Sequence, residues 1–128
     1  MNFPENLLYT NEHEWVRIEG HEAYVGITDY AQNELGEIVF VEVDTLGETL
    51  NQADVFGVIE AVKAVNSLFL PLSGQILDIN PALEDQPELV NQDPYGEGWI
   101  IRTRIANEAE KASLLTAEAY RALIHVTE

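Results

Sequence analysis

The chain has no cysteine and few basic residues, with four arginines and two lysines, Lys63 and Lys111, among 128 residues. Without cysteine there is no disulfide framework, no thiolate metal site, no cysteine nucleophile and no redox dithiol. Against the six basic residues stand 23 carboxylates, for a formal net charge of -17 and a pI of about 4.2. Charge of that sign repels phosphate backbones and anionic headgroups, so neither nucleic acid nor a membrane surface is an expected partner. No stretch approaches the ~20 consecutive apolar residues of a membrane span. The start, Met1 to Asn6, has neither the basic and apolar regions of a secretory signal nor the arginines of a transit peptide. A cytoplasmic, bacterial protein is the plain expectation; a mitochondrial matrix protein would require a transit peptide already removed.

Acidic composition can accompany disorder, but 46% of residues are hydrophobic and patterned, as in a folded domain. At this length one domain over 1–128 is expected; for oligomeric state the expectation is a monomer. Most segments alternate with period two. Glu14–Ile18 and Ala23–Ile27 flank a turn at Glu19–Glu22 and predict a hairpin. Thr28-Asp29 offers an N-cap to a short helix ending at Gly36. Ile38–Val43 reads as a largely buried strand, and Val55–Glu60, Leu68–Leu70, Gly74–Ile79 and Gly98–Ile105 as further strands. The tail, 108–126, reads as a C-terminal helical extension with Ala112, Leu115, Ala119, Leu123 and Val126 on one face and Thr116 placed to cap a break within it. Gly36-Glu37-Ile38 is echoed by Gly74-Gln75-Ile76, each opening a strand followed by a second apolar strand. Two such related halves suit a small β-sandwich, with the segment around Lys63 between them.

The two lysines differ in setting. Lys111 stands beside Glu108 and Glu110 and reads as part of a solvated helix face. Lys63 lies between two predicted strands, at the tip of a hairpin, where function is often displayed. A lysine amine on a flexible stem can be acylated to a stable amide, and a group attached there is carried on a long tether by a rigid support. An ordinary solvent-facing turn lysine would read the same way, so position alone does not decide its role.

Glu60-Ala61-Val62-Lys63-Ala64 resembles the lipoyl-attachment motif of glycine cleavage system H proteins, with Ala61 where serine is usual. His13-Glu14-Trp15-Val16, Gly26 to Gln32 with Leu35-Gly36, Val39 to Glu42, Pro71 to Gly74, Pro87 to Asn91 and Asp93 to Trp99 resemble further motifs of that family, in the same order. The resemblance spans about Tyr9 to Leu123. It implies a mainly β fold: a lipoyl-domain-like β-sandwich (barrel-sandwich hybrid) with a short internal helix and a C-terminal helix. It also implies a carrier and not a catalyst, with lipoate in amide linkage to Lys63. The implied partners are the P protein (a pyridoxal-phosphate glycine decarboxylase), the tetrahydrofolate-dependent T protein, the flavoprotein L protein and the lipoyl-attaching enzymes. The redox sulfurs would then belong to the cofactor, in keeping with a chain that has no cysteine.

The resemblance also gives the neighbours of Lys63 expected roles. Glu60 is the motif glutamate, a candidate recognition charge for the acylating enzyme. Val62 and Ala64 leave the lysine sterically open; biotin carriers typically flank their lysine with methionine, and 2-oxo-acid dehydrogenase domains place aspartate before it. In the family the loaded arm folds back onto the protein, and Glu14, beside His13, is a candidate anion for the amine it carries, or else merely caps a strand. Ser67 stands where the family commonly has an acidic residue, so docking here would rest on Glu14 or on the Ser67 hydroxyl. His13, His21 and His125 lack metal-ligand spacing, and Trp15 and Trp99 read as core. The same lysine would serve a second role, a relay passing lipoyl or octanoyl groups to other lipoyl domains, which the sequence does not separate from the first.

Overall fold

A computed structural model describes residues 1–127, with side chains described as far as His125. The chain forms β1 (Leu8–Tyr9), β2 (Glu14–Glu19), β3 (Glu22–Ile27), α1 (Asp29–Leu35), β4 (Ile38–Glu42), β5 (Thr49–Leu50), β6 (Val55–Ala61), β7 (Val65–Phe69) and β8 (Gly74–Ile79). There follow α2 (Ala82–Asp85), α3 (Leu89–Gln92), β9 (Ile101–Ile105), a 3₁₀ helix (Glu108–Ser113) and α4 (Ala117–Thr127). The strands make two antiparallel sheets, one of six in the order β1-β2-β3-β9-β8-β5 and one of three in the order β4-β6-β7. The architecture is the mainly β sandwich expected, and the sheets do not close into a barrel.

The predicted hairpin forms in register, with Trp15 opposite Gly26 and Val16 opposite Val25. The main core lies between the sheets: Val25, Ile27, Ile76 and Ile101 from one side meet Ile38, Phe56, Ile59 and Leu68 from the other. Burying each such side chain contributes roughly 1.5–3 kcal/mol. Both strand-opening glycine motifs behave alike, since β4 pairs antiparallel with β6 and β8 with β9. At Gly74 a side chain would collide with the Arg104 carbonyl, so these two strands approach as closely as they do only with glycine there.

Two sequence expectations are corrected. Ile38–Val43 is not a buried strand: only Ile38 is buried, while Phe40 is 51% exposed on β4, an edge strand bulged between Ile38 and Phe40. The tail breaks where Thr116 is placed to cap it, and what is corrected is its buried face. Leu115 leaves the helical path to exchange backbone hydrogen bonds with Tyr9 at 2.7 and 2.8 Å. Thr116 then caps a fresh helix by accepting from the Ala119 N–H at 3.1 Å. This restart rotates the buried face to Ala117, Tyr120 and Ile124, leaving Ala112 and Ala119 exposed. Val126 lies outside the described side chains. Tyr120 stacks on Tyr9 with centroids 4.9 Å apart and meets Phe3 edge-on at 5.5 Å, fastening α4 to the N-terminal segment.

Candidate functional site

Lys63 occupies the turn between β6 and β7, the central and edge strands of the smaller sheet. The turn is tight because the Ala61 N–H donates to the Ala64 carbonyl at 2.7 Å, and it is pinned by the Val62 N–H donating to the Glu37 carbonyl at 3.1 Å. Lys63 is exposed, and Val62 beside it is 71% exposed, so neither backbone nor bulk blocks approach to the amine. Its stem lies over the end of α1: a Cβ built on Gly36 would sit 3.5 Å from Lys63 Cε. Gly36 itself has φ of 81°, the left-handed value that ends the helix as its sequence predicts.

Beyond α1 opens a cleft of about 390 Å³. Ile27, Leu35, Ile59 and Leu68 give it an apolar floor, and Glu12, His13, Glu34, Asn66 and Ser67 a polar rim, with Glu14 buried in its wall and Ala64 joining it to the lysine turn. His13, Glu14 and Ser67, more than fifty residues apart at the extremes, thus meet at one opening next to the lysine. Glu60 and Val62 do not line it. Glu60 lies on the exposed side of the smaller sheet, in one cross-strand row with Phe40 and Val65. Phe40, Val62 and Val65 are 51%, 71% and 62% exposed, an apolar surface around the carboxylate.

Glu14 opens β2 and is only 2% exposed. The Thr10 hydroxyl donates to Oε1 at 2.7 Å and the Phe69 N–H to Oε2 at 3.2 Å. Burial nevertheless dominates those two hydrogen bonds and pushes its pKa up to about 7. The carboxyl therefore changes charge near neutrality. His13, in a left-handed backbone conformation with φ of 71°, turns its ring toward α1 and α4. It lies 5.1 Å from the Tyr30 ring, and its Nδ1 is 2.7 Å from the Tyr120 hydroxyl. Burial pushes the His13 pKa down, against the nearby carboxylates of Glu12 and Glu34.

A lysine on an open turn, beside an apolar-floored cleft whose charged rim is carboxylate, suits a covalently tethered arm that rests in the cleft and ends in a cation. Among the described residues no group of histidines and carboxylates is placed to hold a metal ion. The model of the glycine cleavage H-protein family matches residues 7–127. The chain belongs to that family. Glycine cleavage system H proteins of Bacteroides thetaiotaomicron and Bacteroides fragilis are 61% and 60% identical to it over 125 residues, covering 98% of this chain and 99% of theirs. The crystal structure of a glycine cleavage system H protein from Mycobacterium marinum superposes with a TM-score of 0.86 at 36% identity, covering 96% of this chain and 99% of that one. Within this H-protein fold, sequence reasoning missed Thr10, Glu34, Phe40, Val65 and Tyr120. Tyr120 lies outside the apolar face read for the tail, and its contact with His13 spans 107 positions.

Proposed function

We propose that the chain is the lipoylated carrier of the glycine cleavage system, a non-catalytic subunit acting in the cytoplasm, with lipoate on Lys63. The observation that carries the reading is the open lysine turn, Ala61 to Val65, set against the cleft that gathers Ala64, Glu14 and His13. The fit to lipoate is good: the amine is accessible, and the apolar floor suits an alkyl chain while the carboxylates stand at the rim. When attached, lipoate would supply a disulfide able to accept the aminomethyl group of glycine with reduction of its sulfurs, for passage from the P to the T protein, and the dithiol left behind would be the form the L protein reoxidises.

The rest falls to the chain's own residues. The pinned turn presents the exposed Lys63 side chain beside the end of α1, where its amine can be reached. Ile27, Leu35, Ile59 and Leu68 exclude water from the cleft floor. Glu14 accepts a hydrogen bond from an ammonium-like end there, with Ser67 contributing a hydroxyl in place of a second anion. Glu60, in its row with Phe40 and Val65, marks the lysine for the acylating enzyme, and Val62 and Ala64 keep it open.

Reconstitution with P, T and L proteins tests the reading: the acylated chain should support continuous release of carbon dioxide from glycine. A relay that only passes lipoyl or octanoyl groups to other domains would give no turnover. The charge of -17 further predicts partners with basic faces, so apparent affinity should fall severalfold or more between low and physiological salt. Affinity indifferent to ionic strength in that range would remove the electrostatic part of the account.

A further inference from the structure

The cleft has one titratable base, His13, among the carboxylates of Glu12, Glu14 and Glu34. A protonated imidazole there would pair with those carboxylates and compete with a cationic arm. What stands behind His13 bears on this. Its Nδ1 is 2.7 Å from the hydroxyl of Tyr120, and that hydroxyl is 2.8 Å from Thr28 Oγ1. Thr28 Oγ1 in turn accepts the Ala31 N–H at 3.1 Å, in the first turn of α1.

Both hydroxyls are fully buried, so each proton needs an acceptor within the protein. The Ala31 N–H already donates to the Thr28 oxygen, and the acceptor open to the Thr28 proton is the Tyr120 oxygen. The Tyr120 proton then goes to His13 Nδ1. The reverse order, with His13 Nδ1–H donating to Tyr120 and Tyr120 donating to Thr28, leaves the Thr28 proton buried without an acceptor. Burial thus gives the chain of hydrogen bonds a direction and assigns the tautomer.

We propose that Tyr120, oriented by Thr28, is a positioning residue that holds His13 neutral as the Nε2–H tautomer and so keeps the arm cleft free of positive charge. The groups facing the ring agree with this. Glu12 and Glu14 flank it in sequence, α1 contributes Tyr30 and Glu34, and α4 contributes Tyr120. The carboxylates favour protonation; burial and a donor already committed to Nδ1 oppose it. The C-terminal helix gains a role by this route, since Tyr120 reaches the cleft from outside both sheets. What the cleft receives rests on the carrier reading, but the state of His13 does not.

Long-range proton–nitrogen NMR on the full-length, unacylated chain tests it, independently of whether any arm docks. In the wild type the Nε2–H form should exceed the Nδ1–H form by about tenfold or more, and the Tyr120 hydroxyl proton should correlate across its hydrogen bond with His13 Nδ1. Tyr120→Phe keeps the ring packed on Tyr9 and Phe3. It should mix the tautomers and raise the His13 titration midpoint by roughly half a unit or more, because the neutral form loses its donor. A predominant Nδ1–H form in the wild type overturns the proposal without recourse to any variant. So does a Tyr120→Phe protein whose His13 tautomer and midpoint are unchanged.

Discussion

Replacing Lys63 with arginine should reduce glycine cleavage by the reconstituted system to background while leaving the fold intact. The guanidinium keeps length and charge but is not acylated, because it stays protonated at any working pH. The side chain stands on an exposed turn held by backbone hydrogen bonds, Ala61 to Ala64 and Val62 to Glu37, that do not involve it. The stability cost should therefore stay within about 0.5 kcal/mol. Loss of turnover with an unchanged thermal midpoint separates a missing attachment point from a damaged scaffold. Lys111 should not substitute. It belongs to the 3₁₀ helix of the tail, where Glu108 holds its ammonium, and not to an open turn between strands. Turnover retained in Lys63→Arg would place the attachment elsewhere.

Glu14→Gln should have the second-largest effect, with opposite signs on docking and on folding. A charge-assisted hydrogen bond contributes about 1.5–3 kcal/mol, so losing the carboxylate should loosen a docked amine by roughly tenfold or more. In the wild type, docking should strengthen as pH rises through about 7, where Glu14 ionises. Folding runs the other way. The folded carboxyl titrates above its unfolded value, so the folded state binds more protons between roughly pH 4.5 and 7. Stability from this residue is thus present in acid and lost as pH rises through that window, by about 2–3 kcal/mol. Comparing denaturant midpoints of wild type and Glu14→Gln across pH 4–8 isolates the contribution, since every other carboxylate is common to both. Parallel pH profiles for the two proteins would show that Glu14 is not the buried acid described here.

The sequence made the framework legible where local chemistry decides it. The 14–27 hairpin, the Thr28 cap, the Gly36 stop and the placing of Lys63 between two strands all follow from alternation, caps and glycine. Each is an interaction within a few residues. The parts that escaped it depend on distant partners. β1 and β5 are two residues long and carry no periodicity; β1 exists because Leu8 and Tyr9 pair with Val16 and Trp15. Apolar β4 reads as buried because a hydrophobic run does not announce that one of its faces has no sheet above it. In the tail the break comes from Leu115 bonding to Tyr9, and the new register after it brings Tyr120 inward.

The candidate site divides the same way. Lys63 is found from its motif, and Glu14 from its place before Trp15. Their convergence on one cleft is a product of folding, because β2 and the β6–β7 turn belong to different sheets. The pKa of Glu14 is likewise invisible in sequence: the choice between an arm-docking anion and a strand-capping charge turns on burial.

The central claim is that this chain carries lipoate on one lysine. Protein made in a lipoate-competent host, measured as an intact mass and then by peptide mapping, tests it directly. The protein should carry a single lipoyl increment, located on the peptide that contains Lys63, with Lys111 unmodified. An unmodified chain from such a host, or an increment on any residue other than Lys63, would contradict it.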